Sequence, residues 1–312
     1  MLNQLTAAIS APDWTVAAYR TGSTLAQKAP GGVVRRGADL AGRWAATRHD
    51  ERRFLVERHL RRVCPDASDP EIDRLVGESY RSYARYWADS FRLPALSLAT
   101  LDRGLSYSGF DHIIQSLSEG NGTIMVVPHL GGWEWAATWL ARVEGITVSA
   151  VVEAIEPRSL FDWFAEFRRS IGINVIALGS GAGVAVSKAI RDGHIVCLLA
   201  DRDVGASTVE VELFGETTRM AAGPATLAFR TGATLIPCPV YFRDGGVFAD
   251  IGRPLIAQRQ GRLRDDITAL TQDIAHAFED GIRAAPEQWH LMQPNWPSDH
   301  DALREWSNTQ GE

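Results

Sequence analysis

One short stretch of the chain combines residue types that suit general-base catalysis. Residues 124–134 read IMVVPHLGGWE, an apolar run followed by a proline, His129, a pair of glycines and Glu134. The apolar run is β-branched and ends at the proline, which predicts a buried strand, and a helix is predicted to open after the glycines. Ligands of α/β sheets bind beyond the carboxyl ends of the strands. His129 is therefore placed where a substrate would lie.

The chemistry of this stretch suits proton transfer. A neutral imidazole such as His129 is a natural general base near neutral pH. Glu134, five positions later across a tight turn, can hold one ring N–H and balance the imidazolium. Gly131 and Gly132 would let the backbone approach a ligand closely, and the N–H groups that open the helix would stabilise an oxyanion. The alternatives are a histidine that only packs and a glutamate that only complements the helix dipole.

Further polar candidates follow later predicted strands. Asp201 and Asp203 come directly after the apolar run 195–200, and Glu153 closes the run 148–152. One of the two aspartates would hydrogen-bond His129 or a substrate hydroxyl, and Glu153 is a weaker candidate for contact with a substrate. The alternative for the aspartates is an ion pair with Arg202 or Arg219.

An arginine four residues before Gly172 is the candidate for binding negative charge. Arg168 would bind a phosphate of a substrate or stabilise a developing oxyanion. Its neighbour Arg169 competes for the role, and one of the pair is expected to be a solvated surface residue.

The charge of the chain is unevenly distributed. The 312 residues carry a net charge of −6, yet residues 1–62 hold 11 basic and 5 acidic residues, so the other 250 carry −12. A basic end predicts contact with something anionic. No nucleic-acid motif accompanies it, which favours an anionic membrane surface over nucleic acid, and charge reversal at Arg52, Arg53, Arg61 and Arg62 is predicted to weaken membrane binding. The alternative is a helical cap with a solvated arginine face.

Composition excludes several classes of protein. With 45% apolar residues the chain is not disordered. The three scattered cysteines, Cys64, Cys197 and Cys238, predict neither a disulfide framework nor a zinc site, and the histidines show no metal-ligand pairing. No apolar run approaches the roughly 20 residues of a spanning helix, and the start of the sequence lacks the features of a signal peptide. We therefore expect a peripheral protein on the cytoplasmic face of the plasma membrane.

Hydrophobic periodicity predicts an α/β fold with a largely parallel central sheet flanked by helices. Because the N-terminal helices are basic, they are expected to form a membrane-associating cap. Helices are predicted over residues 14–29, 33–63, 71–92, 133–143, 158–170, 183–191, 224–230 and 264–284. Strands are predicted over residues 123–127, 148–152, 174–178, 195–199, 209–214, 234–241 and 247–251. We interpret residues 1–312 as a single domain, with a basic helical part (1–92), a catalytic core (93–285) and a Trp- and Pro-rich tail (286–312) whose residues 286–296 wrap the surface.

These residues carry a resemblance to a known family. The pattern His129-x4-Glu134 matches the H-x4-D/E signature of the glycerolipid acyltransferase superfamily, and the surrounding sequence resembles its bacterial lipid A lauroyl/myristoyl acyltransferase branch. The resemblance covers nearly the whole chain. Later matches to the family pattern are residues 167–172, 200–203, 213–215 and 220–225, and the terminal tryptophans Trp289 and Trp296.

The resemblance implies an O-acyltransferase. A long acyl chain, expected to be palmitoyl, would pass from acyl-CoA to a sugar hydroxyl of a glycolipid, with a mannose of a phosphatidylinositol mannoside as the favoured acceptor. His129 would be the base and Glu134 would orient it, with acyl-CoA as co-substrate and no cofactor. Arg168 would bind a phosphate of that donor or stabilise the oxyanion. Asp201 or Asp203 would hydrogen-bond His129 or the sugar hydroxyl, and Glu153 would lie on the acceptor side. The alternatives are a lipid A-type or other glycolipid acceptor, or a metal-dependent glycosyltransferase in which Asp201 and Asp203 form a DxD pair.

Overall fold

A five-stranded parallel sheet flanked by helices forms the centre of the protein in the computed structural model, which describes residues 11–153, 155–203 and 207–310. The helices are α1 (Ala11–Lys28), α2 (Gly31–Ala46), α3 (Glu51–Val63), α4 (Asp69–Arg92), α5 (Leu98–Arg103), α6 (Phe110–Glu119), α7 (Trp133–Arg142), α8 (Arg158–Ser170), α9 (Ala182–Arg191), α10 (Gly223–Thr231), α11 (Leu263–Arg283) and α12 (Pro297–Gln310). The strands are β1 (Leu105–Ser108), β2 (Thr123–Val127), β3 (Val148–Val152), β4 (Ile173–Ala177), β5 (Ile195–Leu199), β6 (Thr208–Leu213), β7 (Glu216–Ala221), β8 (Thr234–Pro237), β9 (Val240–Arg243) and β10 (Gly246–Asp250).

The strand order of the central sheet is β4-β3-β5-β2-β8, and every pair in it is parallel. The predicted α/β fold with a largely parallel sheet is thereby confirmed. A second sheet, β1-β10-β9, and the antiparallel hairpin β6-β7 complete the strands of the described residues. Since parallel neighbours need long connections, helices cross between the strands and cover both faces of the central sheet.

Alternation along β2 divides the core between the two faces of the sheet. Ile124 and Val126 join one hydrophobic cluster, with α10 and α11, whereas Met125 and Val127 join another, with α7. All five residues of β2 are buried. A strand buried on both faces reads as a continuous apolar run, which explains why the sequence located this strand correctly.

Two predicted elements are wrong in their extent. The single helix expected over residues 33–63 is two helices, because Asp50 begins α3 by accepting a hydrogen bond from the N–H of Arg53 (3.1 Å). The strand expected over residues 234–241 is also divided. β8 belongs to the central sheet, and after Pro239, which has no N–H to donate to a ladder, β9 pairs with β10 instead.

Several arginines of the basic N-terminal segment form ion pairs with acidic side chains of the same protein. Arg53 contacts Asp73, and Arg61 bonds Glu57 and Asp69 (both 2.9 Å). Three of the four arginines that were predicted to contact a membrane, Arg53, Arg61 and Arg62, therefore have acidic partners within the protein, and their role in membrane binding stays a prediction. Reversing their charge would disturb intramolecular ion pairs as well as any membrane contact. Exposed basic side chains of α1, α2, the loop after α2 and the start of α3 are Arg20, Lys28, Arg36, Arg43, Arg48 and Arg52.

The tail does not wrap the surface, contrary to the prediction. Trp289 and Trp296 are only 4% and 1% exposed, and both join the main hydrophobic cluster. Their indole N–H groups are satisfied inside the protein, by Asp201 (2.8 Å) and by the carbonyl of Leu213 (3.3 Å). Satisfied donors remove the penalty of burying two large amphipathic rings, so the tail can fill the core.

A buried charge network joins α3 to the tail. The fully buried Asp299 carboxylate accepts hydrogen bonds from His59 Nε2 (3.2 Å) and from Arg62 Nη2 (2.8 Å), and from the backbone N–H of Asn295 (3.0 Å). Burial alone would raise the pKa of Asp299, but the bonds from His59 and Asn295 and the charges of His59 and Arg62 hold it well below its usual value.

We expect Asp299→Asn to lower the free energy of unfolding by about 3 kcal/mol at neutral pH, because it leaves buried positive charge without its counter-ion. The folded-state pKa is depressed, so the stabilisation is present above the unfolded pKa of about 3.9 and is lost as pH falls further. Urea unfolding of both proteins between pH 3 and 7 measures this. A constant difference across that range would contradict the account.

Candidate active site

Parallel pairing brings His129 and Asp201 together. β2 and β5 are neighbours with Val127 opposite Leu199, and each of the two functional residues comes two positions after its strand. Equal spacing after strands in register places both side chains at the same point of the carboxyl edge. The predicted placement of both side chains at the carboxyl edge is confirmed, and their catalytic role stays a prediction.

The geometry of the pair prepares the imidazole as a base. His129 Nδ1 lies 2.6 Å from Asp201 Oδ1, and the backbone N–H of His129 donates to Asp201 Oδ2 (2.9 Å). An ionised carboxylate only accepts, so in a neutral His129 ring the contact favours the tautomer with the proton on Nδ1 and the lone pair on Nε2. Burial would raise the pKa of Asp201, but the charge of His129 and the hydrogen bonds from His129 and Trp289 hold it below its usual value.

Glu134 does not orient the histidine, which corrects the predicted role. Its buried carboxylate instead pairs with Arg168, at 3.0 Å from Nε and 2.9 Å from Nη2. Glu134 stands in the first turn of α7 and Arg168 in the last turn of α8, so the two helices bring the pair together. Burial would lower the pKa of the guanidinium, yet Glu134 and Tyr86 raise it, and Arg168 stays charged.

The two glycines of the turn have a packing role. Gly131 has φ +53°, and a Cβ there would lie 2.1 Å from the carbonyl oxygen of Val240. A Cβ at Gly132 would meet the side chains of Val247 and Phe242 at 2.7 and 2.9 Å. The turn is therefore glycine-rich because the second sheet lies against it. This differs from the predicted close approach to a ligand, and neither glycine is among the residues found to line the cavity described below.

The remaining candidates lie apart from the histidine pair. Asp203 is partly exposed and 4.0 Å from Arg219, which matches the ion-pair alternative. Glu153 lines the cavity and accepts from Arg202 Nη2 (2.8 Å). Arg169 is exposed and pairs with Glu166 on the same helix (3.1 Å), so Arg168 is the arginine of the site.

A cavity of about 550 Å³ opens beside these groups. Its polar lining includes His129, Glu153, Arg168 and Arg202. Aromatic side chains come from α4, α7 and α8, namely Tyr83, Tyr86, Trp87, Trp133, Phe161 and Phe164. Aliphatic side chains come chiefly from β3, β5, α9 and α10, namely Val151, Val152, Val186, Leu198, Leu199 and Leu227. An apolar cavity with a few convergent polar groups is the usual form of a small-molecule site.

Sequence reasoning missed His290, which also lines this cavity. Its Nε2 hydrogen-bonds Ser82 Oγ (2.9 Å), and its backbone N–H donates to the carbonyl of His129 (2.7 Å). Burial and the neighbouring His129 lower its pKa to about 3, so it stays neutral and does not compete as the proton acceptor at neutral pH. The only signal in the sequence was its position beside the family-like Trp289.

Comparison with known proteins identifies the class to which this fold and site belong. Residues 5–298 match the family described as bacterial lipid A biosynthesis acyltransferase, and the chain belongs to that family. It is 37% identical to the phosphatidylinositol mannoside acyltransferase of Mycobacterium tuberculosis over 297 residues, 93% of this chain and 90% of that protein. It is 38% identical to the enzyme of the same name from Mycolicibacterium smegmatis over 249 residues, 78% of this chain and 79% of that protein. A lipid A biosynthesis acyltransferase of Haemophilus influenzae is 23% identical over 80% of this chain and 76% of its own.

The protein is therefore an O-acyltransferase, as the resemblance implied. The glycosyltransferase alternative is not supported. Asp201, the first carboxylate of its DxD pair, is held by His129 and Trp289 and faces the core, where it is fully buried. Within the described residues, none of the helices is long and apolar enough to cross a bilayer.

Proposed function

We propose that the protein transfers a long fatty acyl chain, palmitoyl by preference, from acyl-CoA to a sugar hydroxyl of a membrane glycolipid. The favoured acceptor is a mannose of a phosphatidylinositol mannoside. The observation that carries the proposal is the His129–Asp201 pair at the wall of a largely apolar cavity. Acyl-CoA acts as a co-substrate and no cofactor takes part.

The proposed reaction begins with proton transfer. His129 Nε2 takes the proton of the sugar hydroxyl while the hydroxyl oxygen attacks the thioester carbonyl. The C–O bond forms, and the carbonyl becomes a tetrahedral oxyanion. When the intermediate collapses the C–S bond breaks, and the coenzyme A sulfur leaves with the proton carried by the imidazolium. Asp201 stabilises that imidazolium between the two steps, and no acyl-enzyme is formed.

Arg168 is proposed to stabilise the oxyanion. It lines the cavity and its side chain is only 15% exposed, so its charge acts in a poorly screened environment. Glu134 holds the guanidinium in place through two contacts at one oxygen. This burial favours the oxyanion over the alternative, a phosphate of the acyl donor, which would be solvated.

The choice of acceptor rests on the relatives. Two relatives that are at least 37% identical over most of this chain are named phosphatidylinositol mannoside acyltransferases, whereas the one named for lipid A is 23% identical. Partly exposed polar groups of the cavity lining, Glu153 and Arg202, offer hydrogen-bond partners for sugar hydroxyls. A lipid A-type or other glycolipid acceptor remains the second candidate.

We further propose that α1 and α2 hold the protein on the cytoplasmic face of the plasma membrane. Val33, Leu40 and Trp44 recur at helical spacing on one face of α2 and are all more than 60% exposed. Arg48 lies 5.5 Å from the ring of Trp44 and supplies positive charge at that face. An exposed apolar face with nearby arginines is typical of helices that lie in an anionic membrane surface.

Helix α1 packs against a helix that lines the cavity. Val16 of α1 packs with Leu160 and Phe164 of α8, and Phe164 lines the cavity. A membrane surface bound by α1 would then lie close to a helix of the cavity wall. The position of α1 supports a peripheral enzyme that works on membrane substrates.

Leu40→Ser with Trp44→Ser is expected to weaken binding to anionic vesicles about 100-fold, because two apolar side chains no longer enter the bilayer surface. The measurement is sedimentation with vesicles of phosphatidylcholine and an anionic phospholipid. The matched control is Ile256→Ser with Leu263→Ser, since these residues are also exposed and apolar but lie outside the N-terminal helices. Equal binding of the two double variants would contradict the membrane proposal.

Thiol release tests the donor and the acceptor together. Acyl-CoAs of increasing chain length are offered with a phosphatidylinositol mannoside, with lipid A precursors, or with no acceptor. We expect the fastest coenzyme A release with palmitoyl-CoA and the mannoside. Acceptor-dependent release confined to lipid A precursors would instead establish the second candidate.

A further inference from the structure

We propose that Trp289 is a positioning residue for acyl transfer, whose indole N–H fixes the Asp201 carboxylate and through it the ring of His129. The inference rests on the proposed role of His129 as the base. Trp289 Nε1 lies 2.8 Å from Asp201 Oδ2 in a buried environment. The indole is not among the residues found to line the cavity, so it acts through Asp201 and does not touch substrate.

The two carboxylate oxygens of Asp201 have different hydrogen-bond partners. Oδ1 lies against the imidazole Nδ1 (2.6 Å), whereas Oδ2 accepts from the His129 backbone N–H (2.9 Å) and from Trp289 (2.8 Å). Two donors on Oδ2 oppose rotation of the carboxylate. Oδ1 is thereby kept opposite the ring N–H, which fixes the tautomer that leaves Nε2 free.

Trp289 is itself fixed to the loop that carries the histidine. The N–H of Gly131 donates to the carbonyl of Gln288 (3.0 Å), and the N–H of His290 donates to the carbonyl of His129 (2.7 Å). Leu130 and Trp289 form a β-bridge between these two bonds. The tail and the catalytic loop are therefore one hydrogen-bonded unit, in which the indole has a defined place relative to Asp201.

The indole also withdraws charge from the carboxylate. A hydrogen bond to a charged acceptor is stronger than one between neutral groups, and it disperses the negative charge. Without this hydrogen bond, Asp201 would carry more negative charge and would stabilise the protonated imidazole more strongly. The His129–Asp201 pair would then release its proton at higher pH. Loss of the donor should therefore change both the rate and its dependence on pH.

Trp289→Phe removes this N–H and keeps an aromatic ring. We expect kcat to fall about tenfold with KM little changed, and the acid limb of the pH–rate profile to move up by about one pH unit. The matched control is Trp296→Phe. Trp296 is equally buried in the same tail, but its indole bonds the carbonyl of Leu213 and has no part in the histidine pair. We expect it to leave the acid limb in place.

A second replacement covers the case in which Trp289→Phe fails to fold. β-(3-Benzothienyl)alanine inserted at position 289 keeps the shape of the indole and replaces N–H by sulfur, so it should reproduce the shifted limb. An unshifted limb in a folded variant, or the same shift in Trp296→Phe, would overturn the inference. His129→Ala in the same series distinguishes a failure of the proposed function from a failure of the role of Trp289. Turnover retained there would refute the proposed function, whereas an inactive His129→Ala beside an unaltered Trp289→Phe would reject the role of Trp289 alone.

Discussion

Replacing His129 by alanine is expected to lower acyl transfer by about 10²- to 10⁴-fold, the usual contribution of a positioned general base. The imidazole Nε2 is the proposed base, oriented by the Asp201 contact, and alanine offers no proton acceptor in its place. The fold should survive, because the His129 side chain is 27% exposed and its backbone bonds remain. Initial rates with palmitoyl-CoA test the expected loss of activity, and the thermal unfolding midpoint tests whether the fold is retained.

The matched control is His276→Ala. His276 is an exposed histidine of α11, and we expect its loss to leave the rate unchanged. If His129→Ala kept the wild-type rate, another group would have to accept the proton of the sugar hydroxyl, and the proposed mechanism would be wrong.

Asp201→Asn is expected to lower the rate by about 10³- to 10⁴-fold, although the side chains have nearly the same shape. If the asparagine turns its NH₂ group toward Nδ1, the ring is held in the wrong tautomer. If it turns its oxygen there, the negative charge that stabilises the imidazolium is still lost. In both cases His129 becomes a poorer base. The variant should bind acyl-CoA normally, since Asp201 is fully buried behind His129. The measurement is kcat and KM for the donor, which should show the loss in kcat.

Asp203→Asn provides the comparison that the sequence alone did not supply. Asp203 lies 4.0 Å from Arg219 and away from the histidine, so we expect a rate within about twofold of wild type. A larger loss from Asp203→Asn than from Asp201→Asn would reverse the assignment and refute the pairing of His129 with Asp201 as the functional one.

The sequence predicted the central strands well because they are buried on both faces. Residues 123–127, 148–152 and 195–199 are strands with those limits, and each is a largely apolar run that follows a glycine or a polar residue. Short apolar runs of this kind are typical of strands in a parallel sheet that is covered on both faces. The same logic placed His129 and Asp201 at the carboxyl edge, where the structure has them.

The sequence could not predict which acidic side chain meets the histidine. Glu134 is near His129 along the chain, but it stands on α7 and turns toward Arg168 of α8. Asp201 is 72 positions away and becomes a neighbour only because β5 pairs with β2. Strand order is a property of the whole sheet, so spacing within one motif carries no information about it.

The tail and the basic N-terminal segment also depend on tertiary partners that the sequence does not reveal. Trp289 and Trp296 are amphipathic, and only their partners, Asp201 and the Leu213 carbonyl, make their burial favourable. Arg62 counts toward the positive charge of the N-terminal segment, yet it is 11% exposed and serves Asp299 in the core. A count of charges does not distinguish a surface arginine from a buried one.

The most direct test of the account is the mass of the product. Purified protein is incubated with palmitoyl-CoA and a phosphatidylinositol mannoside, and the lipid is analysed by tandem mass spectrometry, with His129→Ala in parallel. We predict a lipid that has gained one palmitoyl group on a mannose with wild-type protein and no such product with His129→Ala. Product formation by His129→Ala, or an unmodified lipid with wild-type protein, would contradict the central claim.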